Sequence, residues 1–353
     1  MKIFTLAFSS VFIVLTLLPF IRTGKWWIRI FDYPRVQIVF FLIISIVLCS
    51  VYVDVYNFPG IAFLICLAGS VIYQLTRILK YTLVYPIQAK KAVTSDPKNT
   101  VRIVETNIRM ENKKVGKLLA LVNDISPDIL IVNEPNSWWA SQLKVLDKKY
   151  PYSVKKPLEN TYGMLLYSVF PLKNVEIDFL VSEEIPSIYT TVTLPSSIEI
   201  DLYCLHPKPP MPGSPTFERD TEILLVGKRV KKSNRPSIVV GDLNDVAWSY
   251  TSSLFQRYSG LLDPRQGRGM FNTYNVFMPF FRYPLDHFFY SNHFGFLNMK
   301  RLKSIGSDHF PMFLEIAYDG NRDHTHSKPA ADAEDKQEVE EKIAEGKEET
   351  MKN

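Results

Sequence analysis

The sequence contains few cysteines, and none is spaced for a metal site or a disulfide framework. Its three cysteines are Cys49, Cys66 and Cys204, and no CxxC motif occurs among the 353 residues. A secreted disulfide scaffold and a structural zinc site are therefore not indicated. The HExxH motif is missing as well, which disfavours a zinc hydrolase.

The sequence also lacks a large charge of either sign. Its net charge of +5 does not by itself indicate a strongly basic nucleic-acid-binding protein. Apolar residues make up 46% of the chain, but they are unevenly distributed. We predict membrane helices in residues 1–80, a linker in 81–99, a globular domain in 100–318 and a charged tail in 319–353.

Three long stretches near the N-terminus carry no charged side chain. They cover residues 3–21, 36–53 and 56–76, and each approaches the roughly 20 residues that a helix needs to cross a bilayer. A cleaved signal peptide is the alternative for the first stretch. No small-x-small cleavage site follows it, however, and two further stretches come after it. We therefore predict three transmembrane helices.

The basic residues around these stretches predict their orientation. The first connection holds four of them, Arg22, Lys25, Arg29 and Arg35. The second connection has none, and four more follow the third stretch, Arg77, Lys80, Lys90 and Lys91. Because basic residues favour the cytoplasmic side, we predict a protein of the plasma (inner) membrane with its globular domain in the cytoplasm.

The globular domain combines helical and strand patterns. The segment VGKLLALVND (115–124) has a helical apolar stripe, whereas GMLLYSVFPL (163–172) and SIYTTVTL (187–194) are strands with no helix between them. Antiparallel pairing must therefore accompany the alternating strands and helices, which predicts an α+β (mixed α/β) domain with more than one sheet. The tail from Asp319 is charged and of low complexity, so we expect a solvated, disordered extension.

Five strand-like apolar runs end on polar side chains. These side chains are Asn107, Glu134, His206, Asp242 with Asn244, and Asp286, the last leading toward Asp308 and His309. Each acid alone could be a helix cap or an ion-pair member, but five coinciding segments make that explanation weak. Strands that bring carboxylates, an amide and two imidazoles together build a pocket suited to a hard divalent cation and to proton transfer.

The positions of these residues along the chain indicate which of them could bind a cation and which share a face. Glu134 ends a buried strand and needs a partner, either a cation or an arginine. Asn107 and Asp308 offer further oxygen ligands of the kind that Mg²⁺ accepts. Asp242 and Asn244 alternate along the chain, which predicts that both side chains point to one face.

Two histidines complete this set. Asp308 should face away from its neighbour His309, so we expect Asp286 to orient that imidazole for general base catalysis. His206 supplies a second imidazole, able to protonate a leaving oxygen or to stabilise phosphoryl charge.

Taken together, these motifs resemble the endonuclease/exonuclease/phosphatase superfamily, and in particular its bacterial membrane-anchored members. The segments that carry the resemblance occur in the family's order, and they are NIR (107–109), NE (133–134), YGMLLYSVFPL (162–172), LHP (205–207), GDLND (241–245), PLDHFF (284–289) and GSDHFP (306–311). The resemblance spans about residues 100–318. It implies a four-layer sandwich, in which two packed mixed β-sheets are flanked by helices, following the three membrane helices.

The resemblance also implies a role for each residue. Glu134 would be the principal ligand of Mg²⁺, or of Mn²⁺ in its place, helped by Asn107 and Asp308. Asp242 and Asn244 would position the attacking water and the phosphate. His309, held by Asp286, would act as a base or as a phosphate-stabilising cation. His206 would match a histidine of the sphingomyelinase-like and deoxyribonuclease-like branches.

Two positions depart from the family's pattern. Asn133 stands before Glu134 where glutamine is usual, and Arg109 stands where some members carry an acid near the metal, which puts a second metal in doubt. We interpret Arg109 and Asn112 as contacts to the substrate phosphate. The alternative for Arg109 is a surface ion pair with Glu105 or Glu111.

The leading hypothesis is a membrane-anchored, magnesium-dependent phosphodiesterase. Nucleic acid is favoured as substrate by the family's name-giving members, and a phospholipid or other membrane-proximal phosphoester by the membrane helices. The rival from another class is a non-catalytic membrane scaffold that keeps the fold. A degenerate scaffold should have lost a metal ligand or an imidazole, whereas every expected position is filled here.

Overall fold

The computed structural model describes residues 1–54, 56–212, 215–233, 235–320 and 328–352. The described chain divides into two compact units. The first comprises Met1–Pro86 and Pro210–Thr216, and the second comprises the remaining described residues. The boundary between the two units falls within the predicted linker, 81–99. Within it, Gln88 accepts a hydrogen bond from the backbone N–H of Asp263 at 2.8 Å, and Lys91 pairs with Phe296 in a β-bridge.

The first unit is helical. Its helices are α1 (Lys2–Leu17), α2 (Trp26–Arg29), α3 (Arg35–Tyr52) and α4 (Phe58–Ile78). With the short turns that extend two of them, three helical segments are long and apolar enough to cross a membrane, Lys2–Phe20, Arg35–Tyr52 and Phe58–Tyr81. Buried polar groups connect α1, α3 and α4. Arg35 donates to Gln74 at 2.8 Å, and Gln74 donates to Thr16 at 3.2 Å.

The second unit contains two mixed sheets. The strands of the first sheet are β1 (Thr100–Asn107), β2 (Ile129–Asn133), β3 (Tyr152–Lys156), β4 (Met164–Ser168), β10 (Phe294–Arg301) and β11 (Met312–Tyr318), in the order β10-β11-β1-β2-β4-β3. The strands of the second sheet are β5 (Leu172–Asp178), β6 (Ser187–Thr193), β7 (Glu199–Cys204), β8 (Ser237–Asp242) and β9 (Asp286–Tyr290), in that order. The pairs β1–β2 and β7–β8 are parallel, and the other pairs are antiparallel.

Helices cover the outer faces of both sheets. The first sheet packs against α5 (Val115–Ile125) and α6 (Ser137–Gln142) through a cluster that includes Trp139. The second sheet packs against α7 (Phe217–Lys232) and α8 (Tyr250–Ser259). The inner faces meet in a core of alternating apolar side chains. The predicted four-layer α+β sandwich, preceded by three long apolar helices, is thus confirmed.

The tail differs from the prediction of a solvated, disordered extension. Residues Ala333–Lys352 form helix α9, and its Val339 and Ile343 are buried in the cluster beneath α7 and α8. Arg257 of α8 also forms two hydrogen bonds with Asp335, at 2.8 and 2.7 Å. The many charged residues of this segment lie on the remaining faces of the helix, so its composition concealed a narrow apolar stripe.

Candidate active site

The site lies where the core between the two sheets changes from apolar to polar. On β1, Val101 and Ile103 face this core, and the same alternation places Glu105 and Asn107 on the inner face. On β8 the alternation continues from Val240 to Asp242. It continues from Cys204 to His206 after β7, and it begins at Asp286, ahead of Phe288, on β9. The fold thus gathers polar side chains from four strands at one end of the sandwich.

Asn107 connects two of the predicted carboxylates. Its Nδ2 donates to Oε1 of Glu134 at 2.7 Å and to Oδ2 of Asp242 at 3.1 Å. Glu134 directly follows β2 with a positive φ of 64°. Burial raises the pKa of Glu134, and the nearby carboxylate of Asp308 raises it further. Residues far apart in sequence therefore form one cluster of polar side chains.

The predicted pairing of Asp286 with His309 is present. Oδ2 of Asp286 lies 2.9 Å from Nδ1 of His309, and Oδ2 of Asp242 lies 3.4 Å from the other ring nitrogen. Burial by itself lowers the pKa of His309, but the two carboxylates raise it to about 10. Burial by itself raises the pKa of Asp286, but the charge of His309 brings it below its usual value. The imidazole is therefore held in its cationic form.

His206 also lies near the carboxylate of Asp242. Its Nε2 lies 3.8 Å from Oδ2 of Asp242, and its ring packs 5.7 Å from the ring of Tyr162. Burial lowers the pKa of His206, and the charge of His309 lowers it as well. Asp242 thus has a cationic and a neutral imidazole as neighbours, and burial raises the pKa of this carboxyl.

Asn244 belongs to the site for a different reason from the one we predicted. Strand β8 ends at Asp242, and Asn244 lies in a turn with φ of 50°, so the alternation of an extended strand does not apply. Its N–H donates to Oδ1 of Asp242 at 3.0 Å, and its Nδ2 donates to the carbonyl of Pro207 at 2.9 Å. Asn244 therefore joins the end of β8 to the loop that follows β7.

The donor set fits a divalent cation. Within the described ranges, no Lys or Arg nitrogen lies within 4.0 Å of the carboxylates of Glu134, Asp242, Asp286 or Asp308. Oxygen atoms of Asp242 and Asp286 lie within 4.8 Å of each other and of a nitrogen of His309. The imidazolium supplies only one positive charge to the four carboxylates, so a divalent cation would balance the rest, and carboxylate oxygens are ligands that Mg²⁺ prefers.

Asn107 differs in detail from the predicted metal ligand. Its Oδ1 accepts a hydrogen bond from the N–H of Arg109 at 2.9 Å, so its Nδ2 rather than its oxygen faces the two carboxylates. In this arrangement Asn107 positions Glu134 and Asp242. Rotation of the amide would be needed before its oxygen could bind a cation.

The two predicted substrate contacts are placed differently. The Nε of Arg109 lies 3.3 Å from Oε2 of Glu111, in the exposed ion pair that was the alternative interpretation. The side chain of Asn112 is buried. It donates to the carbonyls of Ile108 and Ile305 and accepts from the N–H of Lys114. Asn112 therefore stabilises the loop after β1, and in this arrangement both hydrogens of its amide nitrogen are used, which leaves none to donate to a phosphate.

The sequence interpretation missed two neighbours of the site. Glu105 is fully buried, and its Oε1 accepts from Nδ2 of Asn133 at 2.7 Å. This pair accounts for the unusual asparagine before Glu134. The sequence could have indicated Glu105, because the alternation of β1 puts it on the same face as Asn107. The second neighbour, Tyr274, lies 4.9 Å from the ring of His309 and comes from a loop with no such pattern.

Comparisons with known proteins agree with this geometry. The sequence profile described as Endonuclease/Exonuclease/phosphatase family matches residues 105–309. This segment includes every strand of the site completely except β1, whose first residues precede it. No curated protein has a significantly similar sequence.

Solved structures share the fold at low sequence identity. TDP2 of D. rerio, complexed with a single-strand DNA product, superposes with a TM-score of 0.53 and 15% identity over 62% of this chain and 98% of that chain. The human Nocturnin catalytic domain with bound sulfate superposes with a TM-score of 0.52 and 16% identity, over 66% of this chain and 97% of that chain. A Beutenbergia cavernae endonuclease/exonuclease/phosphatase superposes with a TM-score of 0.50 and 16% identity, over 62% of this chain and 72% of that chain. The chain belongs to the endonuclease/exonuclease/phosphatase family and is a metal-dependent phosphoester hydrolase.

Proposed function

We propose that the protein is a membrane-anchored, Mg²⁺-dependent phosphodiesterase whose catalytic unit faces the cytoplasm. The observation that carries this proposal is the network around Asp242. Asn107 joins this carboxylate to Glu134, and the cationic ring of His309 joins it to Asp286. The three long apolar helices and the basic residues that flank them support the membrane anchor and its orientation.

Glu134 and Asp308 would hold the cation, which would neutralise charge on the phosphoryl group. Asp242 would accept the proton of the attacking water, because burial raises its pKa and makes the carboxylate more basic. Asn244 keeps Asp242 in position through its N–H.

The two imidazoles would bind the substrate phosphate. His309, fixed by Asp286 in its cationic form, would donate a hydrogen bond to a phosphoryl oxygen as negative charge develops there. His206 is neutral and close to Asp242, so it would also contact the phosphate. Arg109 at the exposed rim is available for a substrate phosphate when it leaves Glu111.

The test uses the full chain in detergent, a panel of phosphoesters and the substitution Glu134→Gln. The panel contains single-stranded DNA, phospholipid and bis(4-nitrophenyl) phosphate, because all three carry a phosphodiester. We expect turnover with Mg²⁺ and none with EDTA. The substitution should lower turnover at least about a hundredfold, because it removes a ligand charge and little volume.

The matched control is Glu176→Gln, an exposed carboxylate on β5. It should keep full turnover. Thermal stabilisation by Mg²⁺ should disappear in the Glu134 variant and persist in the control, which measures binding without reference to activity. Equal rates and equal stabilisation in both variants would falsify the metal assignment. An inert full-length protein across the whole panel would favour the scaffold rival.

A further inference from the structure

The most exposed apolar segment of the second unit is a short loop between α8 and β9. This apolar loop, residues 277–281, reads FMPFF, and all five of its residues are exposed. Phe277 is 59% exposed and Phe280 is 54% exposed. Elsewhere in the described part of this unit, exposed large apolar side chains occur singly along the sequence. A contiguous apolar projection of this kind marks an interaction surface.

The apolar loop is fixed to the edge of the candidate site. The N–H of Val276 donates to the carbonyl of Asp308 at 2.7 Å, and Tyr274, two residues earlier, packs on the ring of His309. On the other side, Arg282 donates to the carbonyl of Val276 at 2.8 Å. Whatever binds the apolar loop is therefore brought next to the residues that we propose to act on the phosphodiester.

Two arginines accompany the apolar loop. The guanidinium groups of Arg282 and Arg301 lie 5.1 and 4.4 Å from the ring centre of Phe310. Within the described residues, no carboxylate lies within 4.0 Å of either group. Both cations are thus held by aromatic and carbonyl contacts, and their charge remains available to an anion beside the apolar loop.

We propose that the apolar loop docks on a lipid surface, with its side chains in the interfacial region and Arg282 and Arg301 on lipid phosphates. Aromatic and apolar side chains next to cations match the chemistry of the boundary between headgroups and acyl chains. The same chain also carries three helices suited to a bilayer, which keeps such a surface within reach. A nucleic-acid partner would need cationic and polar contacts to its phosphates, which the five apolar residues do not offer. A protein partner is the alternative outcome of the first experiment below.

This inference rests on the proposed function and narrows its substrate class. A site whose edge lies in the headgroup region would act on the phosphodiester of a membrane lipid. Docking would present the lipid phosphate to His309 and Asp242 without extracting the acyl chains from the bilayer.

The first experiment locates the apolar loop. An environment-sensitive fluorescent amino acid is incorporated by codon suppression at position 280, or at the exposed position 145 as the control, in the full chain reconstituted in lipid nanodiscs. Lipids brominated along the acyl chain should quench the probe at position 280 and leave the probe at position 145 unaffected. Equal quenching, or none, at both positions would overturn the proposal and would point to a partner other than lipid.

The second experiment separates docking from catalysis. The double substitution Phe277→Ser and Phe280→Ser should lower hydrolysis of nanodisc phospholipid at least about tenfold and leave hydrolysis of soluble bis(4-nitrophenyl) phosphate unchanged. The matched control, Val145→Ser with Val175→Ser, removes two exposed apolar side chains elsewhere on this unit and should alter neither rate. Equal losses on both substrates would contradict docking.

Failure of the proposed function has a different signature. In that case the unmodified chain hydrolyses neither substrate, while the quenching at position 280 still decides where the apolar loop lies. The inactive Glu134→Gln variant should show the same quenching as the unmodified chain, since lipid docking does not require turnover.

Discussion

The ring of His309 donates from Nδ1 to Oδ2 of Asp286, 2.9 Å away, in a fully buried pair. This contact stabilises the imidazolium. The substitution Asp286→Asn keeps the shape but removes the negative charge, so the pKa of His309 should fall. We expect kcat to decrease by roughly 10²–10⁴-fold and the alkaline limb of its pH profile to move to lower pH.

Asp147→Asn provides the control for this substitution, because Asp147 is an exposed carboxylate paired with Lys155. Its kcat and pH profile should match those of the unmodified chain. An Asp286→Asn enzyme with a normal kcat and an unmoved alkaline limb would show that His309 does not need its partner.

The raised pKa of His309 also predicts how stability depends on pH. In the folded protein the pKa is about 10, and in the unfolded chain it is about 6.5. The folded state therefore binds the proton more tightly. The resulting stabilisation is fully present below pH 6.5 and is lost as the pH rises through about 10.

This dependence can be measured by thermal unfolding of the full chain and of His309→Gln in EDTA. The difference in melting temperature between the two proteins should be largest at pH 6 and should shrink steadily toward pH 10. A difference that stays constant over this range would mean that the pKa of His309 is not raised in the folded state.

The sequence allowed much of this site to be predicted because its residues continue regular strands. Asn107, Asp242 and Asp286 occupy inner-face positions of β1, β8 and β9, where a period of two places side chains without further information. The same reasoning about neighbouring residues selected Asp286, rather than Asp308, as the partner of His309. On these strands the period of two predicted which face each side chain occupies, but it did not predict that the amide nitrogen of Asn107 faces the carboxylates.

It failed where the backbone leaves the strand. Asn244 and Arg109 have φ angles of 50° and 54°, and no period describes side-chain directions in such turns. Asn112 looked like a phosphate contact because the sequence does not show its hydrogen bonds to the carbonyls of Ile108 and Ile305. Those bonds form only when the loops are folded. Helix α9 was missed for a different reason. Its few apolar residues lie among many charged ones, so the sequence does not show that they pack against α7 and α8.

The buried pair of Asn133 and Glu105 gives a prediction about stability. Asn133→Ala removes the amide that donates to Oε1 of Glu105 at 2.7 Å and leaves a fully buried carboxyl with one partner fewer. The free energy of unfolding should decrease by about 1–3 kcal/mol, measured by thermal unfolding. Asn123→Ala makes the same chemical change at an exposed position on α5 and should alter it by less than about 0.5 kcal/mol.

Two helical glycines test whether α9 is part of the folded unit. A Cβ at Gly346 of α9 would lie 1.8 Å from Oγ1 of Thr221 and 3.1 Å from the carbonyl of Phe217, both on α7. A Cβ at Gly116 of α5 would meet nothing within 4 Å. Alanine favours a helix over glycine by roughly 0.5–1 kcal/mol, so Gly116→Ala should raise the melting temperature slightly. Gly346→Ala should lower it and release α9 to proteolysis, because the added Cβ would overlap Oγ1 of Thr221 and lie only 3.0 Å from the Cβ of this short, stiff side chain. If both substitutions raised the melting temperature, α9 would not pack on α7 in solution.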